Sequence, residues 1–268
     1  MNQITHPPLL CSMLLLVLCT PALAERELSA DRPDVTESAY TVEPGRLQIE
    51  MSFFELSRDR QAGVEVRELK WLPVNFKVGV WQQLDLQLLF TPYAEQEQID
   101  AAGNRNRQHG FGDETLLRAK INLWGNHSGA HAMAIMPFIK LPTGTNGLSN
   151  HHVEGGMSLP FAMELSPWLG LAAMVQMELL YDELPDDYVI DQTHTVTFGL
   201  TPELFGPMGW FVEYVGVVSE LSDAYLASFN SGLTFAVNDN LQLDVAAQWG
   251  LNGVSDDLGL LSGLTARY

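Results

Sequence analysis

Beyond residue 24 the chain contains no cysteine, because its two, Cys11 and Cys19, both precede that point. Disulfides, thiolate metal centres and cysteine nucleophiles are therefore excluded from the rest of the molecule. No stretch approaches eighteen uninterrupted apolar residues, which excludes a helical membrane protein. Cations are scarce: 14 Lys and Arg stand against 33 Asp and Glu, for a formal net charge of −19, which argues against nucleic acid as a partner. Yet 46% of the residues are hydrophobic, as expected where lipid-facing and polar side chains alternate along strands.

Residues 1–24 read as a secretory signal. An apolar run from Leu9 to Leu18 leads through Thr20-Pro21 to the small-x-small site Ala22-Leu23-Ala24, which predicts cleavage before Glu25. The run is too short to span a bilayer. Leu18 stands where a lipoprotein would need a small residue before Cys19.

After that the pattern is period two, over and over. Leu47, Ile49, Met51 and Phe53 share a face; so do Leu72 to Val80, Leu84 to Phe90, Thr115 to Leu123 and Val153 to Met163. Leu169 to Tyr181, His194 to Leu200, Trp210 to Val218, Phe229 to Val237 and Leu241 to Leu251 continue it, and the last set runs from Leu260 to Tyr268. Ala130–Leu141 is apolar on both faces and its phase is open. Twelve such runs, each near the length a tilted strand needs to cross a bilayer, predict an all-β fold: a transmembrane antiparallel up-and-down β-barrel.

Connections divide by length. Trp81–Gln83, Gly125–Gly129, Leu165–Pro167, Phe205–Gly209 and Asn238–Asn240 are short. Ser57–Val64, Ala94–Gly110, Thr143–His152, Asp182–Gln192, Glu220–Ala224 and Asn252–Asp257 are longer and more polar. That alternation predicts tight periplasmic turns, free outer loops and both chain ends in the periplasm. Aromatics near strand ends (Trp71, Trp81, Phe90, Tyr93, Trp124, Trp168, Tyr181, Trp210, Trp249) fit two interfacial girdles. A soluble β-sandwich also alternates, but keeps charge off its buried face. Here the less apolar faces carry Glu50, Arg118, Lys120, Glu154, Glu178, Glu213, Asp244 and Arg267, with Lys70 and Glu164, so these are the candidate pore-lining residues.

Several pieces spread along the chain carry a resemblance: Asp31-Arg32-Pro33-Asp34-Val35-Thr36-Glu37-Ser38, Pro44-Gly45-Arg46-Leu47-Gln48-Ile49-Glu50, Gly110-Phe111-Gly112-Asp113, Lys140-Leu141-Pro142-Thr143-Gly144, Asn240-Leu241-Gln242-Leu243-Asp244 and Gly263-Leu264-Thr265-Ala266-Arg267-Tyr268. In order and spacing they resemble the outer-membrane "transporter" family of the MetA pathway of phenol degradation. That resemblance implies passage of small hydrophobic or aromatic compounds through an outer-membrane barrel.

The chain thus divides into the signal (1–24), a periplasmic N-terminal segment (25–45) and the barrel (46–268). In the N-terminal segment Asp31, Arg32, Asp34 and Glu37 are candidates for a plug, paired with Arg118, Lys120 or Arg267; the alternative is a cap on the barrel base. His109, His127, His131, His151 and His152 have no metal-ligand spacing, and Asp182, Glu183, Asp186, Asp187 and Asp191 lack a calcium-loop pattern. Ser158 and His152 lie close in sequence, but no G-x-S-x-G occurs. The expectation is a passive channel with no catalytic residue, metal or cofactor. Its partners would be a small-molecule solute, outer-membrane lipid and lipopolysaccharide, and the barrel-assembly machinery through the strand ending at Tyr268. The rival is a structural or adhesive barrel with a closed lumen and working loops.

Overall fold

The computed structural model describes residues 26–126, 129–145, 147–184, 186–200 and 206–268. The signal segment with its cleavage site, His127 and the Phe205 end of one short turn lie outside the described residues. The strands are β1 Leu47–Gln61, β2 Val64–Trp71, β3 Val74–Trp81, β4 Leu84–Ile99, β5 Arg105–Trp124, β6 His131–Leu141 and β7 Glu154–Ser166. They continue with β8 Leu169–Asp182, β9 Asp187–Leu200, β10 Met208–Ser219, β11 Ala224–Asn238, β12 Leu241–Gly250 and β13 Leu258–Arg267. All pairings between strands are antiparallel; each strand joins its sequence neighbours, except that β2 and β3 do not pair with each other, and β13 pairs back onto β1 to close the sheet.

Thirteen segments fill twelve barrel positions because β2 and β3 share one. Both lie between β1 and β4, β2 against their distal halves and β3 against their proximal halves. The break falls at Leu72–Pro73, where Leu72 has φ 55° and Pro73 has no N–H to give the ladder. The expected continuous strand from Leu72 to Val80 is thereby corrected: Leu72 is the break itself. Opposite it, β1 carries a bulge between Ser52 and Phe54, which moves the inward phase from Glu50 and Ser52 to Glu55.

The alternation places the faces. Leu86, Val175, Leu233, Leu243 and Val245 point outward and exposed, while Lys77, Asp85, Lys120, Glu213 and Asp244 are buried inside. The open phase of residues 130–141 resolves with Ala132, Ala134 and Met136 inward. Trp81, Trp124, Trp168 and Trp210 stand exposed near the end where residues 26 and 268 lie, the terminal end, and Trp71, Tyr93 and Trp249 toward the other. From Leu84 to Tyr93 nine steps of about 3.4 Å, tilted by about 40°, rise about 23 Å, close to the usual height of an apolar band.

The strands do not stop at the distal girdle, and here the expected loops are corrected. Ser57–Val64 is a two-residue hairpin turn, Ala62 and Gly63, both with positive φ. Ala94–Gly110 is mostly strand, with only residues 100–104 as its turn. Beyond the lipid both faces turn polar while the hydrogen-bond ladder continues. Cross-strand pairs hold it: Glu65 takes Arg58 at 2.9 Å, Glu97 takes Arg105 at 3.0 Å, and Glu95 meets Arg107, while Arg67 on the same strand adds a 2.6 Å contact to Glu65. Strict short–long alternation of loops is therefore not what the barrel has.

The faces make one direct prediction. Val245→Arg, on an outward position 49% exposed, should cost about 2–4 kcal/mol in lipid. Gln242→Arg, facing a cavity in the lumen, should cost far less. Denaturant titration in vesicles checks this, and equal costs would overturn the face assignment.

Candidate functional site

The inward faces of the twelve positions surround residues 26–46, which run up from the terminal end into the lumen. Close approach of this segment needs glycine at two wall positions. A Cβ on Gly79 would lie 1.9 Å from the Glu43 carbonyl oxygen, and one on Gly263 would lie 2.5 Å from Nη2 of Arg32.

Asp31 is the centre of the docked segment. Its carboxylate meets Lys77 and lies 2.5 Å from Lys120 Nζ, and its Oδ1 accepts from the Ser38 amide at 2.8 Å. Lys77 also pairs with Glu50, and the side chains of both lysines are only 1% exposed. Burial alone would raise the Asp31 pKa, but Lys120 and Lys77 hold it well below the ordinary aspartate range. Arg32 forks onto Asp244, Nε and Nη2 each at 2.8 Å, and gives Nη1 to Ser52 at 2.7 Å.

Further along, Glu213 gathers the Val35 amide at 3.0 Å, the Thr36 amide at 2.8 Å, the Thr36 hydroxyl at 2.6 Å, Thr197 at 3.0 Å and Asn230 at 2.7 Å. Glu37 pairs with Arg118. The Val42 amide donates to Asp85 at 3.0 Å, and Arg267 reaches Glu43 at 3.5 Å. The buried charges Glu50, Lys77, Asp85, Lys120, Glu213, Asp244 and Arg267 are thus each met by an opposite charge or by donors, as a narrow lumen requires. Half-buried Asp34 is not. Among the described residues no side chain donates to it, and burial, then the Glu213 carboxylate, push its carboxyl well above the usual range.

Around the segment the lumen is not filled. A cavity of about 880 Å³ lies at the terminal end, against an inward wall of small residues such as Gly170, Ala172, Gly199 and Gly209, with Phe211. A second, of about 520 Å³, lies on the distal side between Glu55, Lys70, Glu114 and Lys140.

The comparisons bear on this geometry. The family model "Putative MetA-pathway of phenol degradation" matches residues 30–268. The chain belongs to that family. Among solved structures it is similar in fold to an outer-membrane channel of Pseudomonas putida F1, at 9% identity, covering 90% of this chain and 100% of that one, with a TM-score of 0.63. The KdgM porin is more distant, at 11% identity and TM-score 0.48, covering 82% and 98%. Among curated proteins none matches this sequence.

In this member of the MetA-pathway family, most of the pieces that carry the resemblance converge on the lumen. Asp31, Arg32 and Glu37 come from the first, Glu50 from the second, Asp244 from the fifth, and Gly263 and Arg267 from the last. Of the eight pore-lining candidates, Glu50, Arg118, Lys120, Glu213, Asp244 and Arg267 touch the docked segment. Glu154 and Glu178 do not; they share Lys140 near the distal end of β6–β8. Arg267 serves Glu43 rather than any of Asp31, Asp34 or Glu37.

Sequence reasoning missed Lys77, Asp85 and Lys140. Lys77 was findable, since it sits opposite Phe76 and Val78 in an alternating strand. Ser158 donates to Gln176 at 2.7 Å. His152 stacks on Tyr181 and His131 accepts from Trp124 at 3.0 Å. Among the described residues no three His, Cys, Asp or Glu side chains gather as metal ligands.

Proposed function

We propose that the protein is an outer-membrane channel for passive entry of small apolar or aromatic solutes, with both chain ends facing the periplasm and residues 26–46 as a plug in the lumen. One observation carries this reading: the interior holds two cavities set on either side of a docked segment rather than a packed core. Volumes of 520 and 880 Å³ fall in the range of small-ligand pockets. A barrel whose task is structural or adhesive gains nothing from cavities lined by ionisable side chains. The family's link to phenol degradation supports an aromatic cargo.

Purified protein, its folding verified by heat-modifiable migration, should conduct in planar bilayers and let liposomes take up small aromatic solutes faster than sugars. A folded barrel with neither current nor uptake would shift the reading to the adhesive rival.

A further inference from the structure

The two cavities have three lining residues in common: Arg32, Pro33 and Asp34. The distal cavity otherwise draws on Asp31, Glu37, β1–β6 and β13, and the other on residues 26–30 and on β7–β12 near the terminal end. The turn at Arg32–Asp34 is therefore the partition between them, and a solute passing from one to the other meets these three side chains.

Two of the three have nothing left to offer. Pro33 carries no polar side-chain atom. Arg32 has three of its nitrogens committed, two to Asp244 and one to Ser52. Asp34 is different: both cavities reach it, no other side chain among the described residues donates to it, and the strongest charges acting on it are the carboxylates of Glu213, Asp31 and Glu37. Glu213 is already ringed by neutral donors. The distal cavity leans the same way, with six carboxylates in its lining against four cations. Those cations are held: Arg32 by Asp244, Lys70 by Glu68, Arg118 by Glu37 and Lys140 by Glu178.

We propose that Asp34 is the specificity-determining residue of the pore, set at the partition between its two cavities, and that it favours solutes bearing a hydrogen-bond donor or a positive charge over anions. This rests on the reading of the protein as a channel. An ammonium arriving at the turn favours ionisation of the Asp34 carboxyl, and both it and a phenolic hydroxyl find an acceptor that no side chain among the described residues occupies. An aromatic carboxylate finds excess negative charge and no uncommitted cation to offset it.

The test is ion selectivity of the full chain in planar bilayers, read from reversal potentials with benzylammonium and benzoate as probes of matched size. Wild type should pass benzylammonium several-fold better than benzoate. Asp34→Lys should invert the preference, and Asp34→Ser, which adds no bulk and guards against a folding failure of the lysine variant, should bring the ratio toward unity. Glu183→Lys makes the same charge change on an exposed distal turn and should leave the wild-type ratio in place. A conducting Asp34→Lys or Asp34→Ser pore with the wild-type ratio overturns the proposal, as does an equal shift in Glu183→Lys. No current in wild type is a different failure, that of the channel reading itself.

Discussion

Deleting residues 26–38 should raise single-channel conductance several-fold while the barrel stays folded and heat-modifiable. The wall does not need this segment for its ladder, because every strand pairs with its neighbours and β13 closes on β1 without it. What the segment supplies is charge and volume inside. Its loss exposes Lys77, Lys120 and Arg118, which now face Asp31 and Glu37, so water and ions should enter with a relative gain for anions. Both changes are read in the same recording. Unchanged conductance in a folded deletion barrel would mean that residues 26–38 do not obstruct the path.

The second large effect is expected from Asp31→Ala. Lys120 has Asp31 as its ion-pair partner, whereas Lys77 keeps Glu50. Stripping one partner from a buried pair costs about 3–5 kcal/mol, here charged against docking of the segment rather than against the barrel. Protease cleavage within residues 26–40 should become fast while thermal unfolding of the barrel stays near wild type. Replacing both partners, Asp31→Ala with Lys120→Met, should restore most of the protection, since an apolar pair leaves no orphaned charge. If the double variant is as exposed as the single one, the ion pair is not what holds the segment. The pH dependence has a definite sign. The docked Asp31 has a depressed pKa, so its contribution is complete above about 4, the range of a free aspartate, and fades as the pH falls further.

Much of the wall was legible from residues alone, for a simple reason. Between the girdles one face must be apolar for lipid and the other need not be, so Leu243, Val245 and Ala247 alternate with Gln242, Asp244 and Gln248 and the phase is unambiguous. Outside the girdles that contrast vanishes. Glu95, Glu97, Arg105 and Arg107 make one face polar and Gln96, Gln98, Asn106 and Gln108 the other, and a ladder held by backbone bonds leaves no hydropathy trace, so real strands read as loops. The break at Leu72–Pro73 was hidden differently. Leu72 fits the alternation, and only the proline after it hints that the chain turns aside.

The candidate site divides along the same line. Which side chains face inward follows from period two, a local property. Which of them meet does not, because Arg32 and Asp244 are 212 residues apart and the sequence offers several acids for each base. Asp31, Asp34 and Glu37 look equivalent in the chain. In the lumen one is clamped by two lysines, one by an arginine, and one is left open to both cavities.

The socket of Arg32 has a further consequence. It is assembled from Ser52 on β1, Asp244 on β12 and the bare backbone of Gly263 on β13, strands that come together only where the first and last edges of the sheet meet. Before that seam zips there is no socket, and after it zips the guanidinium bridges the joint from inside. The arginine therefore acts as a latch on closure, and assembly has a fixed order: the wall must become a cylinder before its contents can lock. An early step of synthesis is thus held waiting for the final one.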